Sequence, residues 1–275
     1  MSSLQDTKKL LKRYAMARIP FIALNTLENG RALEVLREVA EELSLPKYAH
    51  ASSKGTYDLR SGSTVSDDRS TYGAIEYISD QMRRRQNLTI ILTEPPDLSV
   101  ENGDSRQFLS FVTLASESGG VVIVLSNNTI WNQVQRTGMI VDLDLPNEEE
   151  MYAFIKDFID DNRSRIPIEW DNTDIREATS YLTGVTQVEA ENVIAALIAN
   201  KIIKKSDLDE LRYSKDKLFA NISGLERIDV DESVKNVGGL EGIKRWLVEK
   251  KELLDPEKRD ALKAKGLPAP RGILL

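Results

Sequence analysis

The sequence predicts an α/β protein with a parallel-sheet core, followed by a bundle of helices. Three observations carry this reading. Apolar, β-branched runs end at turns and alternate with segments of helical period, as in a buried parallel sheet. Pro20–Asn25, Leu88–Thr93 and Gly119–Ser126 are the clearest of these runs. After Pro146 the strand pattern stops, and capping-box spacings (Asn147 with Glu150, Thr186 with Glu189, Ser206 with Asp209) each open a segment of helical period.

Composition narrows the chemistry. The chain has 275 residues, 41% hydrophobic and 29% charged, as in an ordinary globular protein of about two domains. A formal charge of −7 gives no support to nucleic-acid binding. The absence of cysteine excludes a thiolate metal site and a cysteine nucleophile, and a single histidine, His50, excludes a paired-histidine site. No run approaches the ~18 apolar residues of a membrane span. A cytoplasmic location is expected, with no membrane partner.

In chain order, residues 3–18 read as a helix carrying Lys8, Lys9, Lys12 and Arg13. It is either a solvated amphipathic helix packed through Leu4, Leu11 and Tyr14, or a basic patch for an acidic partner. Pro20–Asn25 is a buried-type strand leading through Thr26–Gly30 into a helix with Ala32, Leu33, Val35, Leu36 and Val39 on one face. A phosphate-binding loop belongs at such a turn, yet this one has no Gly-x-x-x-x-Gly-Lys-Ser/Thr. Its backbone amides cannot wrap a phosphate, and Glu28 places a carboxylate where phosphates would sit.

Lys47–Ser53 is a weaker strand. Lys54–Ser70, rich in Gly, Ser, Asp and Thr, is expected to be a long mobile loop. Helices are expected over 71–85 and 105–117, and a last strand over Met139–Leu145. Beyond Pro146, Met151, Phe154, Ile155, Phe158 and Ile159 share one helical face, and helices containing Ile175, Ile194 and Leu208 follow. Residues 221–236 are an acidic connection.

The final stretch carries a further pattern. Val237-Gly238-Gly239-Leu240-Glu241, a helix, Leu253-Leu254-Asp255-Pro256 and Gly266-Leu267-Pro268-Ala269-Pro270-Arg271-Gly272-Ile273-Leu274-Leu275 follow in order. Together they resemble the opening of an AAA-type ATPase domain of the AAA+ superfamily, and in particular the plastid- and cyanobacterial-type two-module proteins whose first module is degenerate. The resemblance implies that Val237, Gly238 and Gly239 lie beside the adenine of ATP, that Mg²⁺ accompanies it, and that the Walker A loop follows Leu275. It also implies a homo-oligomeric ring, usually of six subunits, acting on a protein substrate.

Carried back to the first module, the resemblance implies a RecA-like P-loop-NTPase core that lacks its P-loop. Where an Asp-Glu pair would serve magnesium and water, Thr93-Glu94 stands. Asn127 or Asn128 occupies the place of an asparagine that can hold the attacking water. Gln135-Arg136-Thr137-Gly138-Met139 is similar to an arginine-finger stretch, with Arg136 as its first arginine and Met139 in place of the second.

The expected organisation is a degenerate AAA-like core over 1–146, a helical lid over 147–220, a linker over 221–236 and the start of a second ATPase module over 237–275. No catalytic or metal-ligating residue is assigned within the chain, and residues 1–275 alone are expected to show no ATPase activity. The expected role is a non-catalytic interaction and assembly platform, with ATP bound and hydrolysed in the second module. The alternative is a non-enzymatic α/β adaptor in a larger assembly.

Overall fold

A computed structural model describes residues 4–43, 47–220 and 239–251. The chain divides into two units, residues 1–219 and 220–275. The first begins with α1 (Leu4–Met16), β1 (Phe21–Asn25), α2 (Asn29–Glu42) and β2 (Lys47–Ala51). It continues with β3 (Gly55–Asp58), β4 (Thr64–Ser66), α3 (Thr71–Arg84), β5 (Thr89–Leu92), α4 (Gly103–Glu117), β6 (Val121–Ser126), the short α5 (Asn132–Gln135) and β7 (Gly138–Asp142). Four helices complete it, α6 (Glu148–Asn162), α7 (Asn172–Leu182), α8 (Gln187–Ile198) and α9 (Asp207–Ala220).

The strands form a seven-stranded sheet in the order β4-β3-β2-β5-β6-β1-β7. β2, β5, β6, β1 and β7 are mutually parallel, and β3 and β4 are antiparallel additions. Because side chains alternate along a strand, each central strand supplies two cores. Ile22, Leu24, Ile123 and Leu125 face α1 and α2, whereas Phe21, Ala23, Val122 and Val124 face α3, α4 and α5. The result is a three-layer α/β/α arrangement, as the sequence predicts.

The expected mobile loop over 54–70 is not what forms. Tyr57 and Leu59 are buried, and Gly55–Asp58 pairs along β2. The Asp58 carboxylate accepts from the amides of Arg60 and Ser61 and from the Ser61 hydroxyl, closing the reversal between β3 and β4. A polar composition hid two apolar anchors at strand spacing.

The basic face of α1 also finds its partner within the fold. Lys8 pairs with Glu38 and Glu42 at 3.0 and 2.9 Å, and Lys12 with Glu42 at 2.8 Å, so α2 is the acidic surface it meets.

Helices α6–α9 enclose a separate core around Trp170, whose indole N–H donates to the Lys204 carbonyl at 2.9 Å. The capping boxes Asn147–Glu150 and Thr186–Glu189 form as their spacing predicts. At the start of α9 the Asp207 carboxylate accepts from the Lys204 amide and from the Ser206 hydroxyl. In the second unit, α10 (Glu241–Lys251) forms, and Leu240, just before it, is exposed.

Candidate functional site

In a parallel sheet, ligands bind outside the carboxyl ends of the strands, where chain connections diverge. Here β1 lies between β6 and β7, and a cleft of about 540 Å³ opens at the ends of β1, β5 and β6. Its walls include Thr26, Asn29, Thr93, Asp97, Ser126, Asn127 and Asn128. Among the described residues no lysine or arginine lines it, and Asp97 is the one ionisable group in its lining. Hydrogen bonds from the Ser99 hydroxyl and amide hold the Asp97 carboxyl below its usual range, so the cleft keeps a negative charge.

The turn from β1 to α2 is only Thr26-Leu27-Glu28. The Thr26 hydroxyl accepts the Glu28 amide at 3.0 Å, and the Thr26 amide donates to the Ser126 carbonyl, so both amides are satisfied within the protein. Glu28 is the residue before α2, and its carboxylate does not cap that helix. One oxygen accepts from Arg31 at 2.9 Å, and the other accepts from the backbone amide of Gln187 at 2.6 Å. Gln187 is the first residue of α8, and its amide is one of the donors that a helix start leaves without an internal partner.

Arg31 extends the junction. It also donates to the Asp144 carbonyl at 2.8 Å and to Glu150 of α6 at 2.6 Å. Glu150 accepts in turn from the Leu4 amide of α1. The Glu28 and Arg31 side chains are 4% and 6% exposed, so this is a buried network and not a solvated ion pair. It ties the sheet core to α6 and α8 with groups the chain itself supplies. The Glu28–Arg31 spacing, one helical turn, was visible in the sequence; their partners on α6 and α8 were not.

The site does not suit a nucleotide with its metal. A triphosphate would meet the Asp97 charge without a facing cation, and at the start of α8 the Gln187 amide is given to Glu28 and the Glu189 amide to Thr186. Among the described residues no group of three or more potential metal ligands comes together.

The residues singled out by resemblance scatter. Asn127 and Asn128 stand exposed at the end of β6 and do line the cleft. Glu94 is exposed outside it, its carbonyl accepting from Thr71. Arg136 is exposed at the end of α5, away from the cleft lining. Val237, Gly238 and the strand 272–275 lie outside the described residues. Gly239 has φ +71° with nothing within 4 Å of where a Cβ would stand.

Residues 7–143 match the family described as "SpoVK-like AAA ATPase, N-terminal domain". The chain is 22% identical over 272 residues to the uncharacterized AAA domain-containing protein ycf46 of Trieres chinensis, covering 94% of this chain and 51% of that protein. It spans about half the length of the curated relatives it matches. Among solved structures it is similar to C. elegans PCH-2 (TM-score 0.55, 8% identity, 79% of this chain and 69% of that one). It is also similar to a chain of the E. coli MS115-1 HORMA:CdnC:Trip13 complex (TM-score 0.54, 11% identity, 79% and 89%). At such identities these structures speak for the fold alone.

Proposed function

The chain is an AAA+ ATPase-type protein, and from that premise we propose that its first module is a non-catalytic interaction and assembly platform, while ATP is bound and hydrolysed by a second module that opens at Val237. The observation that carries this reading is the Glu28 carboxylate, bonded to Arg31 and to the first amide of α8. The amides at a helix start are donors that a phosphate can take. Here a side chain takes one of them, so the core and the helical bundle are joined without nucleotide.

On this reading the first module comprises a core over 1–146 and a lid over 147–220, joined through 221–236 to the start of the second module over 237–275. Val237, Gly238 and Gly239 would lie beside the adenine of an ATP that the second module binds with Mg²⁺. The protein would work in the cytoplasm as a homo-oligomeric ring on a protein substrate, with neither membrane nor nucleic acid as partner. The solved HORMA:CdnC:Trip13 complex, in which a protein of similar fold is assembled with others, is consistent with that general kind of partner.

The test is photolabelling of the chain joined to a complete second module, with 8-azido-ATP and Mg²⁺, and identification of labelled peptides by mass spectrometry. Label confined to peptides from residue 237 onward is the expected result. Saturable label on the 26–29 turn or on Asn127 and Asn128 would overturn the reading.

A further inference from the structure

The opposite end of the sheet, where the strands begin, carries a basic groove. The connections 17–20, 85–88 and 118–120 lie side by side there, through Val121 N–H to Leu88 O and Val122 N–H to Pro20 O. Helix α3 ends in Arg83-Arg84-Arg85, all exposed, and these residues line a depression of about 340 Å³ between the ends of α3 and α4. Arg18 joins the same surface, its guanidinium donating to the Asn87 carbonyl at 3.3 Å. Among the described residues only Arg83 of these is matched by a carboxylate, Asp80 at 2.8 Å. Among the described residues Arg84 and Arg85 have no ion-pair partner, unlike Lys8 and Lys12 on α1.

A cation near a helix C-terminus is favourable, and one arginine satisfies that end. Three in succession around one groove exceed it. We propose that this groove docks an acidic polypeptide segment carrying an apolar side chain. The arginines fit carboxylates through paired N–H donors. Leu114, half-buried, lines the groove beside them and offers apolar contact.

Nucleic acid fits less well. The groove lining holds no aromatic side chain on which a base could stack. Glu117 stands in its wall, and the chain as a whole carries −7, which repels a long polyanion. A short acidic peptide meets the local field without tracking across the acidic remainder.

This inference rests on the platform reading only in requiring that the first module engage a protein. The experiment is fluorescence anisotropy of the 275-residue chain with a fluorescein-labelled peptide of glutamates interrupted by two leucines. Saturable binding is expected, weakening as salt rises, with about a tenfold loss in Arg84→Ser/Arg85→Ser. Lys8→Ser/Lys12→Ser, on the other basic helix, serves as the control and is expected to bind as the parent does. The arginine variant alters exposed residues and the lysine variant half-buried, ion-paired ones, and an unchanged melting curve confirms that each folds. No binding, equal binding by the arginine variant, or tighter binding of oligothymidine or phosphatidylserine vesicles than of the peptide each overturns the proposal. None of these outcomes touches the photolabelling result, so the two readings fail separately.

Discussion

Glu28 and Gln187, 159 residues apart in sequence, meet through a 2.6 Å hydrogen bond from the backbone amide to the carboxylate. A side chain of the sheet core thereby caps a helix of the α6–α9 bundle. With Arg31 and Glu150 it makes the bundle's seat on the core a property of the folded chain.

Removing one member of this network leaves a buried charge without its partner. Arg31→Met is expected to cost about 3–5 kcal/mol in urea denaturation, because Glu28 and Glu150 both lose their shared donor. Arg31→Met combined with Glu28→Leu recovers much of that loss, since no buried charge then remains at the first site. A double variant no more stable than Arg31→Met alone contradicts the buried-pair account.

His50 gives a pH signature. It is fully buried, its Nδ1 lies 3.2 Å from the Thr56 hydroxyl, and its Nε2 has no hydrogen-bond partner among the described residues. Burial lowers its pKa, against smaller opposing contributions from Glu94, the Arg69 backbone and Asp68. The unfolded chain therefore takes up the proton first as pH falls below about 6.5. The stability present above that value is lost on going toward the lower folded pKa, with a slope of at most about 1.4 kcal/mol per pH unit. As His50 is the chain's single histidine, His50→Gln should flatten urea midpoints between pH 7 and 5.

Glu42 is the acidic counterpart, held at a pKa of about 2 by hydrogen bonds first from Lys12 and then from Lys8. Its contribution is present above the ordinary carboxylate range and is lost as pH falls from about 4 through 2. In a carbon-13 titration, Lys12→Ser should raise the Glu42 pKa more than Lys8→Ser does. Because the cluster is open to solvent, little change in melting temperature is expected.

Much of the fold was legible because it depends on local period. Val121–Leu125 could only be buried on both faces, and Asn147–Glu150 announces a helix start wherever it stands. The hairpin at β3 and β4 was not legible, since Tyr57 and Leu59 sit among residues that ordinarily fill loops. At the site, the missing phosphate loop was visible from Thr26-Leu27-Glu28 alone. What replaces it was not, because Glu28 read only as a repelling carboxylate until Gln187 and Arg31 were seen to bond it.

Gly138 is a position where the sheet depends on having no side chain. A Cβ there would collide with the carbonyl and Cβ of Phe21 on the neighbouring strand. Gly138→Ala should cost about 1–3 kcal/mol as β7 is forced away from β1. An unchanged urea midpoint would show that β1 and β7 can part at that end without loss.

The place of β1 in the sheet also has a kinetic consequence. Leu24 pairs with Leu125 on one side and Val141 on the other, so the first strand made acquires both neighbours last. During synthesis the apolar run Phe21–Leu24 stays unpaired until β6 and β7 have emerged, on the order of ten seconds at ordinary elongation rates. Such long-range closure predicts slow folding for the size of the domain, and a nascent chain that profits from chaperone cover until β7 is in place.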